Sequence, residues 1–152
     1  MKLDERDMQL LNLLQKNSRQ SLTSLAKSIG LSIDSTHKRL KKLTNAGIID
    51  RFGIFLNPKK LGYDLVANVQ IKLHNINEEE LVQFIGFLKA HKNVTELIST
   101  LGDYDLTCVI ISKSTEELEQ ISRYIRQKFK ELIADWKSVI NLKTHKFEEY
   151  SF

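Results

Sequence analysis

The 152-residue sequence has one cysteine, one proline and no long apolar run, and each scarcity excludes a class of protein. With Cys108 alone, neither an intrachain disulfide nor a cysteine-based zinc site can form. Because Cys108 lies in the apolar run 106–111, we expect a buried, unreactive thiol. No apolar segment approaches the ~20 residues of a membrane span, and residues 1–6 lack the apolar core of a signal peptide. The sequence therefore predicts a cytoplasmic protein with no membrane partner.

Histidines are also few, and their spacing does not suggest metal chemistry. His37, His74, His91 and His145 are scattered along the chain, without the i, i+4 pairing that places two ligands on one helical face. We therefore expect no bound metal, no cofactor and no catalytic residues.

Charge is unevenly distributed, and the imbalance points to nucleic acid. Residues 1–62 hold 12 Lys and Arg against 5 Asp and Glu, a net +7, whereas residues 63–152 hold 11 against 14, a net −3. A basic first part beside a mildly acidic second part indicates two units, with DNA as the partner of the first.

The first fifty residues carry three helical patterns with recognisable ends. Asp4, Ser21 and Ser32 are suited to cap the three helices, and Gly30 is suited to end the second in a left-handed conformation. The third helix is expected to stop near Gly47. Two short helices joined by a glycine corner form the helix-turn-helix pattern. Apolar or packing residues recur at helical spacing: Met8, Leu10, Leu11 and Leu14; Leu22, Leu25, Ala26 and Ile29; and Ile33, Thr36, Leu40 and Leu43.

The third helix has a packing side and a polar side on a helical wheel. His37 lies near the edge of the packing side, where we expect a partly buried neutral histidine. Ser, Lys and Asn on the polar side suit the major groove, because Ser and Asn can bond base edges and Lys can reach guanine or phosphate. Asp34 faces the same way and would be repelled by phosphate unless it accepts from a cytosine amine or pairs with a lysine. The predicted DNA-binding residues are Ser32, Ser35, Lys38, Arg39, Lys41, Lys42 and Asn45; a solvated basic face on a structural helix is the alternative.

Beyond residue 63, strand and helix patterns alternate in the order β-α-β-β-α-β, the ferredoxin-like arrangement. Strands are expected at 65–73, 94–101 and 105–112, with a last strand through Trp136, Ser138, Ile140 and Leu142. Both helices should cover one face of the sheet, leaving the other face partly apolar and open to a partner subunit. We assign residues 1–50 to a helix-turn-helix domain, 51–62 to a hinge or linker strand, with a short strand or two within 48–56, and 63–152 to an effector-binding and oligomerisation domain.

An ordered set of short motifs resembles the Lrp/AsnC, or feast/famine, transcription regulators over essentially the whole chain. The motifs are Leu3-Asp4-Glu5-Arg6-Asp7, Asn17-Ser18-Arg19, Leu25-Ala26, Leu31-Ser32, Arg39-Leu40, Leu43, Gly47-Ile48-Ile49, Leu61-Gly62 and Gly102-Asp103-Tyr104-Asp105. The resemblance implies a winged helix-turn-helix, a ferredoxin-like effector domain, and dimers that stack into tetramers or octamers and sense amino acids between dimers. One departure is Thr36, where the family usually has an apolar residue; a threonine can bond back to a helix carbonyl, so we expect it to be tolerated.

The turn between the second and third strands is the candidate effector site: Gly102, Asp103, Tyr104 and Asp105. Gly102 permits positive φ, and exposed backbone groups beside it can bind a carboxylate, while Asp103 or Asp105 can pair with an α-amino group. An ordinary hairpin turn between two apolar strands is the alternative.

Taken together, these features predict a sequence-specific DNA-binding transcription regulator of the Lrp/AsnC type, and not an enzyme. Its expected partners are double-stranded DNA, an amino acid or similar small molecule, and further copies of the chain in a dimer, tetramer or octamer. One alternative is an architectural DNA binder without an effector. Another is a tetrapyrrole decarboxylase on the same scaffold, against which the dispersed histidines and the intact basic helix argue.

Overall fold

The computed structural model describes residues 2–151, which divide into two compact units. The first unit comprises residues 2–55 together with 145–151, and the second comprises residues 56–144. The break falls inside the predicted linker, and the tail, assigned from sequence to the second domain, groups with the first unit. The domain boundaries at residues 50 and 62 stay predictions. None of the helices within residues 2–151 has the length and apolar character that a bilayer span requires.

The first unit consists of three helices, α1 (Glu5–Lys16), α2 (Leu22–Ile29) and α3 (Ile33–Asn45). Each begins at a side-chain cap, because Asp4, Ser21 and Ser32 accept hydrogen bonds from backbone N–H groups three residues on. Such caps each stabilise a helix by about 1 kcal/mol. Gly30 ends α2 with φ at 66°, a left-handed conformation that costs a glycine little. The predicted caps and the glycine corner are confirmed.

The core of the first unit is formed by one side of each helix. Its fully buried side chains include Leu10 of α1, Leu25 and Ile29 of α2, and Leu43 of α3. Thr36 is also buried, and its Oγ1 donates to the Ser32 carbonyl at 2.9 Å, as expected for a tolerated threonine.

Two expectations for α3 are wrong. Ile33 is 50% exposed and does not share the packed side, and His37 is exposed instead of partly buried. On a wheel of ~100° per residue, Ile33 lies about 80° and His37 about 120° from the buried Leu43. Both side chains therefore fall at or beyond the margin of the buried stripe.

The segment after α3 differs from the prediction of a strand within 48–56. A turn covers residues 46–49, and residues 50–57 form neither helix nor strand. A strand needs a neighbour to complete its backbone hydrogen bonds, and the described residues of the first unit contain no other strand. A 3-10 turn, Pro58–Leu61, then leads into the second unit.

The second unit has the predicted βαββαβ order. Its elements are β1 (Leu65–Leu73), α4 (Glu78–Ala90), β2 (Val94–Ser99), β3 (Leu106–Ser112), α5 (Thr115–Lys128) and β4 (Ile133–Ile140). The sheet order is β2-β3-β1-β4, and every neighbouring pair is antiparallel. Because β4 ends at Ile140, the expectation that Leu142 belongs to it is wrong; Leu142 is largely exposed.

Both helices cover one face of this sheet. Alternate residues of β1, such as Val69 and Ile71, are fully buried against Phe84 of α4 and Ile125 of α5. Cys108 of β3 lies in the same core, where burial raises the pKa of its thiol to about 12. The thiol therefore stays protonated and unreactive, as expected.

The opposite, open face of the sheet remains partly apolar. The register places Val109 of β3, Asn68 of β1 and Val139 of β4 in one row across it. Ile98 of β2 and Val139 are 54% and 52% exposed. We call this surface the open face.

Candidate nucleic-acid interface and ligand turn

The exposed side of α3 is a cationic surface. Lys38, Lys41, Lys42 and Asn45 have exposed side chains on a helix whose other side is anchored by the buried Leu43. We call these four residues the cationic face. Ammonium groups on flexible stems can pair with phosphates, and an Asn amide can bond a base edge, so the face has the chemistry of a DNA contact.

Asp34 is paired with a lysine, one of the two arrangements that the sequence left open for it. Its Oδ2 lies 2.7 Å from Nζ of Lys38, one helical turn away, and both side chains are largely exposed. Exposed pairs of this kind contribute at most about 1 kcal/mol. Lys38 can therefore exchange Asp34 for a phosphate at little cost.

The two predicted serines cap α3. The backbone N–H of Ser35 donates to Oγ of Ser32 at 3.1 Å, and the Ser32 hydroxyl donates to Oγ of Ser35 at 2.9 Å. The Ser32 hydroxyl proton is thus engaged within the helix end, whereas Ser35 keeps its own hydroxyl proton for an outside acceptor.

Arg39 is placed differently from the lysines around it. Its Nη1 lies 2.6 Å from Oδ2 of Asp4 and 2.7 Å from Oδ1 of Asp7, at the start of α1. The Asp7 backbone N–H, and then the Arg39 guanidinium, lower the pKa of the Asp4 carboxyl. The structure therefore does not group Arg39 with the cationic face.

A contact that the sequence did not predict joins the C-terminal tail to α1 within the first unit. Nε2 of Gln15 donates to the Tyr150 carbonyl at 3.3 Å, and the Tyr150 backbone N–H donates to Oε1 of Gln15 at 2.9 Å. Phe147 meets Phe55 edge-on, with ring centroids 5.6 Å apart. A contact between one side-chain amide and the backbone of one distant residue produces no periodic pattern in the sequence, so it could not be predicted.

The four residues of the candidate effector site, 102–105, lie together between β2 and β3, and we call them the ligand turn. Gly102 has φ at 156°, which other residues rarely adopt, and Asp103 is exposed. The Tyr104 hydroxyl donates to Oδ2 of Asp135 on β4 at 3.0 Å, and this hydrogen bond raises the pKa of Tyr104. The turn is thereby tied to the strand at the edge of the sheet.

Asp105 has a structural partner. Its Oδ2 accepts from the Leu73 backbone N–H at 2.7 Å, and its own N–H donates to the Ile71 carbonyl at 3.0 Å. Asp105 thus anchors the turn to the end of β1. Asp103 is left as the exposed carboxylate of the four residues.

A cleft of about 290 Å³ lies between the end of α5 and the start of β4. Arg126 and Lys130 are among the residues that line it, together with Asp135, which accepts the hydrogen bond from Tyr104. Sequence reasoning missed this cleft, because its residues come from two separate elements with no shared motif.

A basic helix-turn-helix unit followed along the chain by a βαββαβ unit defines the class of two-unit DNA-binding transcription regulators. Residues 3–50 match the family model for winged helix-turn-helix DNA-binding, and residues 66–150 match that for the Lrp/AsnC ligand binding domain. The chain belongs to the Lrp/AsnC family of helix-turn-helix transcriptional regulators.

Relatives and solved structures agree with this assignment. The HTH-type transcriptional regulator LrpA of Pyrococcus abyssi is 38% identical over 119 residues, which is 78% of this chain and 82% of the relative. The structure of E. coli AsnC superposes with a TM-score of 0.83 at 27% identity, covering 99% of each chain. A Neisseria meningitidis transcriptional regulator in complex with L-Met has the same fold, with a TM-score of 0.87 at 21% identity over 96% of this chain and 94% of that one. The Pyrococcus and Neisseria proteins are named as transcriptional regulators, not as enzymes.

Proposed function

We propose that this regulator binds DNA by placing α3 in the major groove. The observation that supports the proposal is the separation of α3 into a buried side, held by Leu43, and the cationic face of Lys38, Lys41, Lys42 and Asn45. In this arrangement the lysines pair with phosphates, while Ser35 and Asn45 bond base edges. Ser32 contributes as the helix cap. Such binding takes place in the cytoplasm, where the regulator meets its target DNA.

Charge reversal on α3 tests this proposal. In fluorescence-anisotropy titrations, Lys38→Glu and Lys42→Glu should each weaken DNA binding by about tenfold or more, because each converts an attraction to phosphate into a repulsion. Lys92→Glu, the same change at an exposed lysine of the second unit, is the matched control and should retain wild-type affinity. Wild-type affinity in both α3 variants would refute the assignment of the interface.

The open face of the sheet is proposed as the contact between two copies of the chain. It exposes Ile98 and Val139 beside the partly buried Val109, an apolar surface that a second copy would cover. A two-fold dimer presents two α3 helices to successive major grooves about 34 Å apart, so its target is roughly palindromic.

Light scattering on purified variants tests the dimer. Val139→Lys should shift the molar mass toward that of one chain, because it buries a charge in the proposed contact. Leu142→Lys, at an exposed leucine outside the sheet, should leave the mass unchanged. A dimer that survives Val139→Lys with unchanged concentration dependence contradicts the assigned surface.

The effector is proposed to be an amino acid bound at the ligand turn. Asp103 is exposed, so its carboxylate is free to pair with an α-amino group. Arg126 and Lys130 line the cleft next to the turn, and Asp135, which also lines it, accepts the hydrogen bond from Tyr104 of the turn. The Neisseria regulator, which has the same fold, binds L-Met. Bound ligand then changes DNA affinity by favouring one assembly or spacing of the subunits.

A DNA titration with and without a pool of the twenty amino acids tests the effector. A shift in affinity that is lost in Asp103→Asn is expected. Binding that no amino acid alters would favour an architectural role, or a different ligand, over the proposed response.

A further inference from the structure

Arg39 is the one arginine of α3, and its side chain is less exposed than those of the lysines of the same helix. Its side chain is 28% exposed, whereas that of Lys38 beside it is 76% exposed. A single nitrogen, Nη1, reaches both Asp4 and Asp7, at 2.6 and 2.7 Å. These distances are at the short end for charge-assisted hydrogen bonds.

In both Asp4 and Asp7, one carboxylate oxygen accepts from a backbone N–H and the other binds Arg39. Oδ1 of Asp4 accepts from the Asp7 backbone N–H at 2.8 Å, and Oδ2 of Asp7 accepts from the Asp4 backbone N–H at 3.2 Å. This reciprocal pair is the capping box that begins α1. The other oxygen of each carboxylate binds Arg39. Arg39 thus binds both carboxylates while the capping-box hydrogen bonds stay intact, and it links the first turn of α1 to the middle of α3.

Asp7 explains why this contact is not readily given up. It is only 1% exposed, and Arg39 is the only cation within salt-bridge distance of it in the described residues. If Arg39 turned outward to a phosphate, it would leave a buried carboxylate without its cation, which is strongly unfavourable. Lys38, by contrast, leaves an exposed partner in water when it binds a phosphate.

We propose that Arg39 is a positioning residue for DNA recognition: with Asp4 and Asp7 it fixes the orientation of α3 against α1, and it does not itself contact DNA. The proposal rests on the proposed function of α3. Base-edge contacts need a defined helix orientation, whereas phosphate contacts by flexible lysines tolerate small rotations. The three residues, which we call the clamp, therefore contribute to discrimination between target and random DNA more than to affinity for DNA in general.

The test compares two duplexes, one selected from a random pool by the wild-type protein and one of random sequence and equal length. Arg39→Gln should lose about tenfold affinity for the selected duplex, the effect of roughly one mismatched base pair, and little for the random one. Its slope of log affinity against log salt should stay at the wild-type value. If Arg39 is instead a phosphate contact, both duplexes weaken alike and the slope falls by about 0.9.

Conservative variants distinguish a positioning role of Arg39 from a role as a positive charge that binds phosphate. Arg39→Lys keeps the charge but carries it on a flexible, strongly hydrated ammonium in place of the rigid guanidinium whose Nη1 reaches both acids. It should therefore behave like Arg39→Gln if Arg39 positions α3, and like the wild type if Arg39 only binds phosphate. Asp4→Asn keeps an acceptor for the cap and removes one partner of Arg39, so it should reduce discrimination in the same direction. Wild-type discrimination in both Asp4→Asn and Arg39→Lys would overturn the proposal.

Two controls make the result unambiguous. All titrations are run at 10 °C after circular dichroism confirms that each variant is folded, so that a loss of stability alone does not change the measured ratio. Asp4→Asn, at an exposed position, serves if Arg39→Gln does not fold. Lys38→Glu and Lys42→Glu should each weaken binding to both duplexes. If neither does, the DNA-binding role of α3 fails, a result distinct from failure of the clamp.

Discussion

Asp34 offers a direct test of charge at the residue scale. Asp34→Asn removes an anion from the DNA-facing side of α3 and releases Lys38 from its pair. DNA affinity should rise several-fold at low salt, and the gain should shrink as salt increases, because exposed charges are screened. The stability loss should stay below about 1 kcal/mol, the scale of an anion near a helix N-terminus. Anisotropy titrations at two salt concentrations measure the effect, and unchanged or weaker binding at low salt would contradict it.

Low pH should lower the stability that Asp4 contributes at the start of α1. The Asp7 N–H and the Arg39 guanidinium hold the pKa of Asp4 below its ordinary value of 3.8. A group whose pKa is lowered on folding contributes stability above its ordinary pKa, and that contribution is lost as pH falls through the lowered value. Urea unfolding should therefore show stability decreasing below about pH 4. The decrease should be smaller in Asp4→Asn, and an identical pH profile in both proteins would show that Asp4 does not contribute.

Among polar residues, the sequence predicted the contacts whose two partners lie close together in the chain. The caps at Asp4, Ser21 and Ser32 each bind a backbone N–H three residues on, and Thr36 binds the Ser32 carbonyl one helical turn earlier. The sequence did not predict the partners of Arg39, which lie 35 and 32 residues earlier in the chain. Helical spacing identifies a face, but it does not identify which residues of another helix contact that face.

At the scale of elements, the sequence periodicity predicted the order and type of helices and strands, but not every end or margin. Ile33 falls outside the buried stripe of α3, and Leu142 lies beyond the end of β4. The strand expected within 48–56 does not form in the described chain, because pairing needs a second strand that no local pattern supplies. The two hydrogen bonds between the Gln15 side chain and the backbone of the tail were likewise not predictable from the sequence.

Packing of α3 should depend much more on Leu43 than on the Thr36 hydroxyl. The Ser32 carbonyl also accepts from the Thr36 backbone N–H at 3.0 Å, so it keeps a partner in Thr36→Val. That change should be neutral or stabilise by up to about 1 kcal/mol. Leu43→Ala removes a fully buried side chain and should cost about 2–5 kcal/mol. Urea denaturation compares the two variants, and a larger loss in Thr36→Val than in Leu43→Ala would contradict this packing.

At the scale of the whole molecule, the chain returns to its first unit after completing the second. Residues 145–151 group with residues 2–55, held by the Gln15 and Phe55 contacts. A chain that stops after Thr144 should lose about 1 kcal/mol from the first unit, since these contacts are largely exposed. Gln15→Ala should give part of the same loss. Hydrogen exchange of α1 measures it, and unchanged protection in both variants would show that the tail does not stabilise the unit.

Affinity cleavage shows directly whether α3 lies in the major groove of the target DNA. Cys108 is buried and unreactive, so a cysteine introduced at Asn45 can be the one site that carries an iron–EDTA cleaving group. We predict cuts within the selected duplex in two clusters about one helical turn apart, as expected for a two-fold dimer. The same group on Lys89→Cys of α4 should leave the site uncut. Equal cleavage from both positions, or none from residue 45 in a protein that still binds, would show that α3 does not lie in the major groove.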